Sequence, residues 1–298
     1  MDTATNQLDP TIISNIEFFV VDAVADIAVP VFFYGTYAVL YGTCMVILRQ
    51  KRTQYHRLYT TAMTVLFVLA SFGVVVNVFL ATRGVIGLIV GEITESPPSE
   101  EAYSQLLTFS VISFFFYILS NMVADTLLLI RCYHIWNRLV VVLFPAILCL
   151  VCNGLGIVAA CISFQDAVHG STSDTKLLVA MDDHIVGRQP LLLTFLGLDL
   201  LSNLLLTSVI AVKLLFVIRH ARRAEVKSVQ ALYTSVMAII VESGLLYPIG
   251  LVALLIFSNN AVTYSLIHIV GISPTLIIVR IGLGTALHVE RGCLESIN

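Results

Sequence analysis

The sequence predicts an all-α polytopic membrane protein, a seven-transmembrane-helix bundle with its N-terminus outside and its C-terminus cytosolic. Three observations carry that expectation. Hydrophobic residues make up 58% of the 298 positions and charged residues only 12%, far from the roughly one-quarter charged that a globular domain carries. The apolar residues gather into seven runs, and about 20 residues of helix are enough to cross the hydrocarbon core. Lys and Arg also alternate by loop. The connections after helices one, three and five hold Arg49, Lys51, Arg52 and Arg57, then Arg131 and Arg138, then Arg219, Arg222, Arg223 and Lys227, and Arg280 and Arg291 follow along the seventh helix and tail. The opposite side holds Arg83, Lys176 and Arg188, so the positive-inside rule orients the chain.

The expected organisation is an outer segment over 1–26, a membrane domain over 27–284 and a cytosolic tail over 285–298. Residues Ile12 to Ala28 mix apolar positions with Glu17, Asp22 and Asp26, and read either as a short amphipathic helix on the outer surface or as a partly ordered lead-in. Met1 to Pro10 has neither a basic residue nor an apolar core, so no cleavable signal peptide is expected. Pro30 is placed to open helix one, 31–48, because proline at the first helical position forfeits no intrahelical bond. Gly35 and Gly42, seven apart on that helix, share a face and are expected to admit a close neighbour. Helix two covers about 58–80 with Asn77 near its far end, and an acidic connection with Pro97-Pro98 follows.

Helix three, about 104–130, carries Asn121 and Asp125 on one face and leaves the membrane through Arg131, Tyr133, His134 and Trp136. An ionisable group at the centre of a membrane helix costs about 3 kcal/mol on insertion scales, so Asp125 is expected to meet a partner rather than lipid. Helix four, 139–163, holds Asn153-Gly154 and three cysteines, and a long polar segment over 164–189 follows. Helix five, 190–218, spaces Asp199, Asn203 and Thr207 four apart; helix six, 229–257, contains Glu242-Ser243 and Tyr247-Pro248; helix seven, about 262–283, contains His268, Ser273-Pro274 and Arg280. The six cysteines fall in apolar stretches or near the cytosolic side, so no structural disulfide is expected.

Depth along the helices sorts the polar residues. Asp199, Glu242 and His268 fall in the middle or outer half and are expected to share a ligand cavity with Asn203 and Tyr264. Tyr264, His268, Gly271 and Thr275 recur at helical spacing, giving helix seven one polar, small-residue face. Pro248 and Pro274 each free a backbone carbonyl and allow a kink. Asn121, Asp125, Arg131 and Arg280 form a candidate interhelical lock, with Asp125 paired to Arg280 or Arg131. The plain alternative gives Asn77, Asn121, Asn153 and Asn203 interhelical hydrogen bonds and makes His268 a packing residue.

Several chemistries find no support. No catalytic set, metal site or cofactor is expected: His268 is the one histidine well inside the membrane, which leaves a metal or haem without a second ligand. Helix seven has no lysine for a retinal Schiff base, Lys213 lies near the cytosolic end where it can snorkel, and no Gly-x-Ser-x-Gly is present. No basic patch of nucleic-acid type occurs. The expected partners are the lipid bilayer, a small-molecule ligand, and a cytosolic signalling protein at the basic loops of a plasma-membrane protein. The reading is a receptor or sensor for a small apolar or amphipathic molecule. A membrane-embedded enzyme of terpene-cyclase type, with Glu242 or Asp199 as general acid, is the alternative. A transporter ranks below both because the two halves show no inverted repeat.

Three strings carry a family resemblance: Ile130-Arg-Cys-Tyr-His-Ile-Trp136, Glu242-Ser-Gly-Leu-Leu-Tyr247, and Gly271-Ile-Ser-Pro-Thr-Leu-Ile-Ile-Val-Arg-Ile-Gly282. With these the chain resembles a large group of receptor-like, seven-pass integral membrane proteins of basidiomycete fungi. The resemblance implies a fungal seven-helix protein, N-terminus out, with no established ligand. The chain is less similar to rhodopsin-like receptors. Arg131-Cys-Tyr133 stands where their basic-aromatic motif ends helix three, but Ile130 replaces the expected acid and helix seven lacks Asn-Pro-x-x-Tyr, so this likeness does not imply coupling to a G protein.

Overall fold

The computed structural model describes the backbone of residues 10–50, 56–94, 100–169, 190–223, 227–257 and 260–295, with side chains described for most of 20–281. The basic stretch 51–55, Pro97-Pro98, the polar segment 170–189 and the side chains of Arg291 and Cys293 lie outside the described set.

Among the described residues seven helices follow in order: α1 Pro10–Gln50, α2 His56–Thr94, α3 Glu100–Trp136, α4 Leu139–His169, α5 Pro190–Arg223, α6 Lys227–Phe257 and α7 Asn260–Glu295. Among the described residues only Asn137 and Arg138 are not helical. Each helix contains a stretch long and apolar enough to cross a membrane, from Val20–Gln50 in α1 to Asn260–Ile281 in α7. The protein is a multi-pass integral membrane protein. In lipid each backbone N–H and C=O must be satisfied within its own segment, which long uninterrupted helices do.

The helices outrun the apolar stretches that announce them. Pro30 does not open α1; it lies buried inside a helix that starts twenty residues earlier, at Pro10. A proline inside a membrane helix is tolerated where neighbours absorb the freed backbone. Likewise α2 continues through the stretch expected as a connection to Thr94, and α7 continues through most of the expected tail to Glu295. Between α3 and α4 the turn is tight. Asn137 takes a left-handed φ of 50° and its N–H bonds the Tyr133 carbonyl at 2.7 Å, the αL helix stop that asparagine tolerates well.

Each helix packs on its sequence neighbours, and α7 returns to α1, closing a ring; α3 also meets α5 and α7, and α2 meets α7. The most buried of the seven is α7, with 67% of its best membrane window inside. Glycines set the closest approaches, though not those expected. Gly35 and Gly42 are exposed, and an added Cβ would meet nothing within 4 Å. At Gly271 the Cβ would stand 2.5 Å from Cζ of Tyr37, and at Gly244 2.9 Å from the Thr207 methyl. The close α1–α7 contact is therefore a tyrosine of α1 seated in a notch on α7. Nothing in the spacing of glycines on α1 signals that arrangement.

Candidate functional site in the bundle core

Asp199 on α5 is fully buried and is the hub of the core. Its Oδ1 accepts from the Asn121 amide of α3 at 2.9 Å. Its Oδ2 accepts from the Tyr117 phenol of α3 at 3.0 Å and from the Tyr247 phenol of α6, and the two phenol oxygens lie 2.6 Å apart. One carboxyl thus joins three helices. The local reason is periodicity. Tyr117 and Asn121 are four apart and stack on one face of α3, and Phe195, packed edge-on against the Tyr117 ring with centroids 6.1 Å apart, fixes that face against α5. Gly244 lets α6 draw close to α5 one turn before Tyr247. Asn203 lies buried one turn past Asp199.

Asp125 continues the same α3 face by one more turn, about 6 Å along the axis. It is 2% exposed, and its Oδ2 accepts from the Asn153 amide of α4 at 3.0 Å. The same Asn153 nitrogen bonds the Cys149 carbonyl at 2.8 Å. A polar seam therefore crosses the bundle from α4 through α3 and α5 to α6.

The expected cavity of Asp199, Glu242 and His268 does not form; the three lie in three places. Glu242 points out of the bundle with its side chain 68% exposed, and it pairs with Arg280 of α7 through two guanidinium contacts, the longer at 3.2 Å. Each charge supplies the other's partner, and pairing is what makes an ionisable residue of a membrane helix tolerable. His268 is fully buried, but on the α1 side, with its ring 5.7 Å from that of Tyr34. The polar face of α7 as a whole meets α1 and α2. Besides His268, Gly271 meets Tyr37, the Thr275 hydroxyl lies 3.4 Å from the Met63 sulfur, and the Tyr264 carbonyl accepts from the Asn77 amide at 3.2 Å. Asn77 in turn accepts from Ser113 of α3 at 2.6 Å, so it ties α2, α3 and α7 together.

The expected lock divides in the same way. Asp125 pairs with neither Arg280 nor Arg131. Arg280 is engaged by Glu242, and Arg131 donates to the Pro274 carbonyl of α7 at 3.1 Å with its guanidinium 5.9 Å from the Tyr59 ring centre. Arg131 and Pro274 do join α3 to α7, through backbone rather than charge. Pro248 is buried beside Tyr247, and Pro274 beside Ser273, whose hydroxyl bonds the Ser243 carbonyl of α6 at 2.9 Å. The prolines thus adjoin the ties that α6 and α7 make.

Sequence reasoning missed Tyr117 and Tyr247 as partners of Asp199, and Asn153 as the partner of Asp125. The signal for Tyr117 was present, since it continues the Asn121–Asp125 face upward by one turn. Nothing in the spacing marked Tyr247. Among the described residues no three His, Cys, Asp or Glu side chains converge as metal ligands, and Cys44, Cys132, Cys149, Cys152 and Cys161 are free thiols. No family model, curated protein or solved structure matches the chain.

Proposed function

We propose that the protein is a seven-helix receptor or sensor in which the Asp199 hub is the element that ligand binding rearranges. The observation that carries this reading is that Asp199 holds α3 and α6 to α5 at the residue next to Pro248, the proline inside α6. A ligand pressing on the half of α6 beyond Pro248 would move the Tyr247 phenol relative to Asp199. Interhelical hydrogen bonds in membranes contribute about 0.6 kcal/mol each on average, so exchanging a few of them is within the differential affinity of a small molecule. The output is proposed to run through α3 and α7, joined at Arg131 and the Pro274 carbonyl, to a cytosolic signalling protein at the basic loops.

The ligand class is small and apolar or amphipathic, in keeping with the apolar walls around the seam. The fungal resemblance of the α6 and α7 strings and the Lys/Arg distribution support a receptor of the plasma membrane with its N-terminus outside. The enzyme alternative is weakened because Glu242 faces outward and Asp199 already accepts three hydrogen bonds, so neither of the two carboxyls it relies on is free and aimed at a substrate.

Mass spectrometry of small molecules retained by detergent-purified protein tests the reading, with wild type beside Asp199→Asn and beside Glu242→Gln as an outward-facing control. A compound held by wild type and the control but lost from folded Asp199→Asn supports a site governed by the hub. Turnover of that compound would support the enzyme instead, and identical retained sets in all three proteins would overturn the assignment.

A further inference from the structure

We infer that the outward pair of Glu242 and Arg280 is a self-association site, at which a second copy of this chain docks with α6 beside α6. The two side chains pair across α6 and α7 without being enclosed: 68% of the Glu242 side chain and 35% of that of Arg280 stay exposed. Glu242 is the middle residue of the 31 in α6, with the apolar run 236–241 before it and Leu245 and Leu246 after it. An ionisable residue of a membrane helix is costly to leave facing lipid. Pairing answers the charge of Glu242 but leaves most of its surface to be covered.

The helix around it is patterned for a neighbour. The described outward face of α6 is Ala238, Glu242, Leu245, Ile249, Val252 and Ile256, all exposed. Its steps alternate between four residues and three, the 3.5-residue repeat along which two helices pack side by side. α6 sets its other faces on α5 and α7, which leaves this one outward.

The chemistry of the pair selects a second copy as the occupant. A guanidinium carries five N–H donors and a carboxylate about four lone-pair sites, and the pair uses two of each. Both members therefore have capacity left over. A lone acid or base from another protein would answer one member and add a net charge, whereas a second Glu–Arg pair answers both. Depth agrees. Two copies related by a twofold axis along the membrane normal keep each residue at its own depth, and the isologous contact sets an acid of one against a base of the other. The contact within one chain places Glu242 and Arg280 within side-chain reach of one level, so each also reaches the opposite charge of the other copy. An anionic lipid headgroup fits less well, because the carboxylate is the more exposed member and repels it.

A dimer of this kind does not require the receptor reading. It is tested by reconstituting donor-labelled and acceptor-labelled full-length chains in phosphatidylcholine liposomes and reading energy transfer, with thermal melts to confirm that each variant is folded. Wild-type chains should give transfer that unlabelled wild type competes away. Glu242→Arg leaves two positive charges at the site and Arg280→Glu two negative ones, so each alone should weaken self-association by about tenfold or more. Mixed in one membrane, the two variants should regain transfer, because each supplies the charge that the other lacks. Glu242→Arg together with Arg280→Glu in one chain keeps the pair within the chain and should self-associate as wild type does; this exchange also serves if a single variant fails to fold. Wild type without competable transfer, undiminished transfer in folded Glu242→Arg, or a folded double variant that stays monomeric would each overturn the site. Monomers that retain a tightly bound phospholipid would overturn it too, and would give the pair to a headgroup.

Discussion

Replacing Gly271 with alanine puts a methyl group where the Tyr37 ring already lies. The added Cβ would stand 2.5 Å from Cζ and 2.7 Å from both Cε1 and the phenol oxygen, about 1 Å inside the 3.5–4.0 Å at which carbon atoms pack best. Tyr37 is fully buried and its ring also meets that of Phe67 at 5.7 Å, so the ring has little room to turn aside. Overpacking of this kind costs about 1–3 kcal/mol. Gly35→Ala on α1 is the matched control, because it makes the same change of helix propensity with nothing within 4 Å of the new atom. At about 2–4 °C per kcal/mol for a chain of this size, Gly271→Ala should melt about 2–12 °C below Gly35→Ala. The assay is thermal unfolding of detergent-purified protein, repeated in a Tyr37→Leu background that removes the ring. There the gap between the two alanines should shrink, as the coupling of touching residues requires. Equal Tm values for the two alanine variants, or an unchanged gap without the ring, would refute the notch.

Three further outcomes follow from the polar contacts. Asp199→Asn keeps the volume but turns an NH2 group toward one of three donors, so it should lower Tm by the equivalent of about 1–3 kcal/mol, more than Tyr247→Phe at about 0.6–1.7 kcal/mol; thermal melts of both would check the order. Arg131→Met should loosen α3 from α7 by removing the bond to the Pro274 carbonyl, read as faster amide hydrogen exchange over 270–281 with α1 and α2 unaffected. Glu242→Gln should leave Tm closer to wild type than Asp199→Asn does, because its side chain lies outside the packed core; the reverse order in a melt would show that the outward placement is wrong.

The seven apolar helices were legible in the sequence and direction around each helix was not. Hydropathy and the distribution of Lys and Arg define seven runs, and the four-residue step from Asn121 to Asp125 correctly places both side chains toward a partner. The direction of Glu242 was misjudged because a carboxylate inside an apolar run reads as inward, whereas Arg280, thirty-eight positions away, meets it on the outside of the bundle. His268 was drawn to the wrong side for a related reason. The Tyr264–Thr275 stripe shows that α7 has a polar face, but periodicity carries no information about which neighbour that face meets. That Tyr34 and Tyr37 of α1 would fill it depends on ring closure, a property of the whole bundle.

The closure of α1 on α7 also bears on how the protein is made. A chain synthesised from its N-terminus delivers α1 to the membrane first and α7 last, so Tyr37 must wait for its notch through the insertion of five intervening helices. Until then the inner faces of α1 and α2, with Tyr34 and Met63, are open to lipid or to another chain. Helices that insert independently and associate afterwards tolerate such a delay, but an exposed unpaired surface is where misassembly begins. Slow or failed arrival of α7 would leave the first two helices as the part of the molecule that cellular quality control meets first.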